Sequence, residues 1–193
     1  MHLRPRPRQA AGAGGSGETP APPMSTTLSA SRVHPIAEDG DCIFASFLMG
    51  SEEQRNYDTV QAFRLEASRR VEAQVDPDKL LAEYKIHALA CAPTRMTADN
   101  LKKKLVKFIA APSKWDDTLG EMVLSLLCFV FRVELMVFDR VTGAELPYIP
   151  SELIPKFAPE AAVADAITDA VHVSLHALIH DKHRDHYDVY RPA

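Results

Sequence analysis

Two short segments, at opposite ends of the apolar part of this 193-residue chain, carry residue types that can do chemistry together. The first is Asp39-Gly40-Asp41-Cys42. It stands immediately before Ile43-Phe44-Ala45-Ser46-Phe47-Leu48, where apolar residues recur at helical spacing, so Cys42 is predicted to open a helix after a tight acidic turn. The first turn of a helix presents unpaired N–H groups and the positive end of the helix dipole, and both favour a thiolate over a thiol. The second segment is His186-Tyr187-Asp188. His186 can act as the base toward Cys42. Asp188, two residues on, shares a strand face with it and can hold the imidazole in one tautomer, whereas Asp185 would face the other way. A cysteine, a histidine and a carboxylate in these roles are the working parts of a hydrolase with a thiol nucleophile. Backbone N–H groups of the turn from Asp39 to Cys42 are placed to hold an oxyanion, and Gly40 lets that turn come close with no side chain in the way.

The elements that must position these groups follow from hydrophobic periodicity. Gly50 can end the Cys42 helix. Asp58 is placed to cap a second helix, with Val60, Phe63, Ala67 and Val71 on one face. Asp76-Pro77 starts a third, with Leu80, Leu81, Tyr84 and Ala88 inward and Pro93 as its stop. Thr97 caps a fourth, with Leu101, Leu105, Phe108 and Ile109 inward and Lys102, Lys103, Lys104 and Lys107 mostly outward. Leu119 to Val130 is nearly all apolar and must be a central helix. Val133 to Phe138 reads as a strand, with a turn at Arg140 to Gly143 and Tyr148 beyond it, while 150–169 is rich in Pro and Ala and has no clear period. Val171 to Ile179 is the last long strand, and Tyr187 to Tyr190 pairs back on it. Helices first and strands late, around one core, indicate an α+β domain, with a sheet packed by helices.

Five of the eight histidines fall at 172, 176, 180, 183 and 186. On a helix that spacing would form a stripe and suggest zinc. The alternation of Val171, Val173, Leu175, Ala177 and Ile179 with His172, Ser174, His176, Leu178 and His180 indicates a strand instead, with the first set toward the core and the histidines at the surface or rim. No carboxylate or cysteine is spaced to complete a metal site, and the chemistry of a thiol nucleophile needs neither a metal nor an organic cofactor. His34 and His87 have no evident partner. Cys91 and Cys128 lie in apolar runs and read as structural.

Composition is that of an ordinary globular domain, with 46% hydrophobic and 25% charged residues. Residues 1–33 are different. They are a Gly/Pro/Ala-rich arm with four arginines and one glutamate, a segment that cannot bury a core and is expected to be disordered. The arm carries +3, which leaves −7 on residues 34–193 of a chain whose total is −4. An acidic folded part argues against nucleic acid as the main partner. Met24 offers an alternative start that would make the arginine-rich piece dispensable. Three cysteines with no CxxC pair favour a reducing compartment. No apolar run has membrane-spanning length, and no signal-peptide core is visible.

The ends of residues 34–191 together resemble the ovarian-tumour (OTU) family of cysteine proteases, which are deubiquitinases. The family pattern is D-G-x-C followed by an aromatic or aliphatic residue, a Trp-led helix, a strand, and H-Y-[DN]. This chain offers Asp39-Gly40-Asp41-Cys42-Ile43-Phe44, Trp115 leading Leu119 to Phe131, Val133 to Phe138, and His186-Tyr187-Asp188-Val189-Tyr190. It departs in the middle, where Asp116 follows Trp115 and Gly120-Glu121-Met122 stands in place of the family's Glu-Leu pair.

The resemblance implies an OTU-like cysteine protease fold, a central, mostly antiparallel sheet packed between helices. It implies a cytoplasmic enzyme, or one acting in a host cytosol after export. The expected partner is ubiquitin or a ubiquitin-like protein, cleaved after its C-terminal glycine by Cys42, His186 and Asp188 with the Asp39 turn as oxyanion site. A monomer is expected. Two other classes fit the same residues: a catalytically silent OTU-like ubiquitin-binding module, and a cysteine hydrolase of different specificity, such as an amidase.

Overall fold

The computed structural model describes residues 33–37, 39–50, 56–87, 96–112, 117–139, 142–168, 176–181 and 186–190. A two-residue strand, β1 (Val33–His34), precedes five helices: α1 (Cys42–Gly50), α2 (Val60–Gln74), α3 (Pro77–His87), α4 (Ala98–Ala110) and α5 (Asp117–Phe131). The strands β2 (Leu135–Asp139) and β3 (Glu145–Tyr148) follow, then α6 (Pro150–Phe157), a 3-10 turn and α7 (Val163–Thr168), and finally β4 (His176–Asp181) and β5 (His186–Tyr190). The strands form one sheet in the order β1-β5-β4-β2-β3. Three of its pairings are antiparallel and β2–β4 is parallel. The chain is therefore an α+β protein, and the first and last described strands are neighbours at one edge of the sheet. Among the described residues no helix is long and apolar enough to cross a membrane.

The helices form where the apolar stripes predict them. Phe63, Ala67 and Val71 of α2 are fully or almost fully buried, as are Leu101, Leu105 and Ile109 of α4 and Leu80 and Tyr84 of α3. Thr97 caps α4, its hydroxyl accepting the Asn100 N–H at 3.3 Å. The cap of α2 is Thr59 rather than Asp58; its hydroxyl accepts the Ala62 N–H at 3.1 Å. Both residue types can satisfy an orphan N–H, and Asp is the commoner cap, so the sequence alone pointed to Asp58 over its neighbour. From Met122 to Phe131 every side chain of α5 except Ser125 is buried. Phe63 stacks on Phe131 at 4.9 Å and on Phe47 at 5.7 Å, which locks α2, α5 and α1 into one core. Arg132 then takes a left-handed φ of 58°, turning the chain out of α5 toward β2. Residues 150–168, which had no clear period, form α6, the 3-10 turn and α7, with Pro150 at the first helical position of α6.

The last long strand is placed by its pairing with β2. Of β4 and of His186 and Tyr190 the backbone alone is described. Register sets His176 beside Leu135, Leu178 beside Val137, and His180 beside Asp139, all three partners in β2 being buried. Ala177 and Ile179 fall beside Met136 and Phe138, which are half-buried. His176 and His180 therefore stand at register positions beside buried residues of β2, while their own side chains lie outside what is described. Period-two alternation fixes that two faces exist. Which one meets the core is decided by pairing with β2, a long-range contact that the local pattern does not encode. His172 and His183 lie outside the described residues.

The boundary of the folded part moves by one residue. Val33 pairs with Tyr190 and His34 with Val189, so β1 begins inside the segment assigned to the arm. Ile36 N–H donates to Asp188 Oδ1 at 3.0 Å just beyond it. Deleting residues 1–31 is expected to leave the melting temperature and any turnover unchanged, since that composition buries nothing. Deletion through Ala37 strips β5 of its outer neighbour β1, leaving only β4 beside it, and should lower the melting temperature by several degrees. Equal melting curves for the two truncations would contradict this assignment.

Candidate active site

The turn before α1 is built from its own carboxylates. Asp39 Oδ1 accepts the Asp41 N–H at 3.0 Å, closing an Asx turn. Gly40 sits at φ 79°, the left-handed region that glycine enters without steric cost. The Asp41 carbonyl then accepts the N–H groups of Phe44 and Ala45, both at 2.9 Å, and α1 starts at Cys42. The predicted cysteine at the head of a helix is present. One detail of the expected oxyanion site changes: the Asp41 N–H is engaged by Asp39 inside the turn, which removes it from the set of donors that could face a substrate.

Cys42 is 5% exposed. Cys128, by contrast, is wholly buried in α5, and burial pushes its thiol well above the ordinary cysteine range. It stays a neutral thiol and behaves as a small hydrophobe. Cys91 lies outside the described residues.

The head of α1 is tied to β5. The buried Ser46 hydroxyl donates to the Tyr187 carbonyl at 2.7 Å. Cys42 stands one helical turn before Ser46, about 6 Å along the axis, and His186 one residue before Tyr187. A buried hydrogen bond between residues 141 apart therefore ties the helix that Cys42 heads to the strand that begins at His186. Within β5, Tyr187 and Val189 are buried and Asp188 is half-buried. That alternation puts Asp188 on the face opposite Tyr187 and Val189, and the backbone of His186 stands two residues before it in the same strand, the i, i+2 spacing expected of a base and its orienting carboxylate. Asp188 also holds the Ile36 N–H. The His186 side chain, Asp185 and Trp115 lie outside the described residues.

Ser46→Ala withdraws this donor from a buried carbonyl, a change worth about 1–3 kcal/mol. The variant is expected to melt several degrees lower than the parent. A melting curve superimposable on the parent's would show that the bond does not hold α1 to β5.

Arg64 of α2 was not singled out by sequence, yet it touches the turn directly. Its Nη1 pairs with Asp41 Oδ1. Its Nε donates to the Ile109 carbonyl at 2.8 Å and its Nη2 to the Phe108 carbonyl at 3.0 Å. The guanidinium lies 4.0 Å from the centroid of the Phe44 ring. Burial lowers its pKa, and the charges of Asp41 and Asp39 and the hydrogen bond to Asp41 oppose that. Arginine remains a cation throughout the working pH range. A signal was available: Val60, Arg64, Ala67 and Val71 fall at i, i+4, i+7 and i+11, so a charged residue interrupts the apolar stripe of α2. An arginine at such a position needs buried acceptors, and the acidic turn together with the C-terminal carbonyls of α4 provides them.

No family model matches the chain, and no curated protein matches it.

Proposed function

We propose that this protein is a cysteine-dependent deubiquitinase with an OTU-like fold, hydrolysing the peptide or isopeptide bond after the C-terminus of ubiquitin or a ubiquitin-like protein. The observation that carries the reading is the Ser46–Tyr187 bond, which joins a helix headed by Cys42 to the strand that bears His186 and Asp188. Further support comes from the Asx turn with Gly40 at positive φ, a backbone in which no side chain stands at the turn's tightest point.

In this mechanism the Cys42 thiolate adds to the scissile carbonyl. Backbone N–H groups of the turn stabilise the oxyanion, with Asp41 excluded as above. His186, as imidazolium, gives its proton to the leaving lysine amine, and the C–N bond breaks to leave a thioester. His186 then takes a proton from water, whose oxygen attacks the thioester and releases the ubiquitin carboxylate and the Cys42 thiol. Asp188 orients the ring. The −7 charge of residues 34–193 suits the basic tail of ubiquitin, and three unpaired-type cysteines suit a reducing compartment.

A ubiquitin propargylamide probe tests the reading. The expected result is a covalent adduct whose digest places ubiquitin on Cys42. Tight binding with no adduct would make the protein a recognition module, and neither binding nor adduct would point to a thiol hydrolase with another substrate; both outcomes reject the deubiquitinase.

A further inference from the structure

Three features beyond the proposed triad merit argument: the lysine-lined groove between α2 and α4, the exposed edge strand β3, and the buried guanidinium of Arg64. The groove mixes Lys102, Lys103 and Lys107 with Glu72 and Asp99, and Lys102 is itself spent on the Val75 carbonyl at 2.6 Å, so its charge selects no ligand. β3 carries Pro147 in its centre, which interrupts the donor row that an added strand would need. Arg64 carries an inference through.

We infer that Arg64 is a positioning residue for the nucleophile, clamping the Asp39–Cys42 turn and neutralising the Asp41 carboxylate beside the Cys42 thiol. This rests on Cys42 being the nucleophile, though not on ubiquitin being the substrate.

The geometry is specific to the site. Arg64 grips the chain immediately before Cys42, at Asp41, and two residues after it, at the Phe44 ring. Its Nε and Nη2 donate to the Ile109 and Phe108 carbonyls at the C-terminal end of α4, where helix carbonyls lack an i+4 partner and the dipole is negative. Gln61 Nε2, one turn earlier on α2, takes the Ala110 carbonyl at 3.1 Å. The end of α4 is thus an acceptor cradle that holds the guanidinium fully buried, while the Asp41 side chain it faces is 19% exposed.

The chemical consequence concerns charge. A carboxylate one residue before a cysteine disfavours thiolate, because both forms are anions in a poorly solvated corner. The buried cation cancels that repulsion. It also fixes Asp41, whose carbonyl starts α1 and whose N–H closes the turn. Among the described side chains, the charged groups on the elements that meet at the head of α1 are Asp39 and Asp41 from the turn, Arg64 from α2 and Asp188 from β5. Of these, Asp41 and Arg64 form one bonded pair, so they can be removed together without leaving a lone charge.

The test reads the thiol directly. The full-length protein is alkylated with iodoacetamide across pH, and the Cys42 adduct is quantified by peptide mass spectrometry, which separates it from Cys91 and Cys128. Arg64→Met is expected to move the midpoint of Cys42 alkylation up by about one pH unit, a roughly tenfold loss of rate on the acid side. Asp41→Asn, which keeps the cation, should move it down. The double variant Asp41→Asn/Arg64→Met should return it close to the parent value.

A midpoint unmoved in Arg64→Met and in Asp41→Asn overturns the inference and leaves Arg64 a packing residue, even if the melting temperature falls. Where Arg64→Met does not fold, Asp41→Asn alone decides by the same criterion. A positive alkylation result beside a negative ubiquitin probe retains Arg64 as positioning residue and rejects only the ubiquitin substrate.

Discussion

Cys42→Ala is expected to abolish cleavage of a ubiquitin–fluorophore conjugate, with far-UV and near-UV circular dichroism unchanged. In the proposed mechanism the thiol makes the bond to the substrate, and no other described cysteine can substitute for it: Cys128 is buried in α5 with its thiol held neutral by that burial. His186→Ala should fall nearly as far, by about 10³–10⁴-fold, since general acid–base transfer and thiolate formation both depend on the ring. Cys128→Ala removes a sulfur from a fully packed helix, so it should lose some stability while keeping its turnover per folded molecule. Cys91→Ala should keep its turnover as well. Hydrolysis at the parental rate by Cys42→Ala, or its loss in Cys128→Ala with the fold intact, would move the nucleophile elsewhere.

The parts of this site that the sequence displayed are those governed by local rules. A helix beginning at Cys42 follows from an Asx turn, a glycine and an apolar period, all within twelve residues. The shared face of His186 and Asp188 needs nothing beyond the strand period. The apolar stripes of α2 and α4 met the core because each stripe is wide enough to admit one orientation. What the sequence hid depends on partners distant along the chain. The partner of β4 was hidden because its alternation, with Leu178 among the histidines, is local, whereas its parallel pairing with β2 is a contact between distant segments. Asp58 and Thr59 are both capable caps, and only the backbone of the completed helix selects Thr59. Arg64 interrupts an apolar stripe in plain view, but its meaning appears only when the end of α4 and the Asp41 turn converge on it. The role of β1 was hidden for the same reason: two residues form a strand only because β5 is beside them.

The second large effect is expected at Asp188, where the variants should separate by shape and charge. Asp188→Asn keeps an oxygen that can accept both the His186 ring N–H and the Ile36 N–H, the latter now bonded at 3.0 Å. It loses only the charge that favours imidazolium. Its kcat/KM should fall about tenfold or less, far less than in His186→Ala, and its melting temperature should hold. Asp188→Ala loses both acceptors. It should cost about 10²-fold or more in rate, and the released Ile36 N–H should lower stability by about 1 kcal/mol. The pH profile distinguishes the two roles. If Cys42 and His186 work as a thiolate–imidazolium pair, kcat/KM traces a bell whose acid limb reports formation of the pair and whose alkaline limb reports loss of the imidazolium proton. Removing a negative charge near the ring favours its neutral form, so Asp188→Asn should draw the alkaline limb to lower pH. A role confined to pinning β1 would leave that limb in place and be shared by the truncation through Ala37. Asp185→Ala should change little, because Asp185 is an odd number of residues from His186. An Asp185→Ala variant as damaged as His186→Ala, beside an Asp188→Ala variant with parental activity, would assign the orienting carboxylate to the wrong residue and dissolve the triad as drawn.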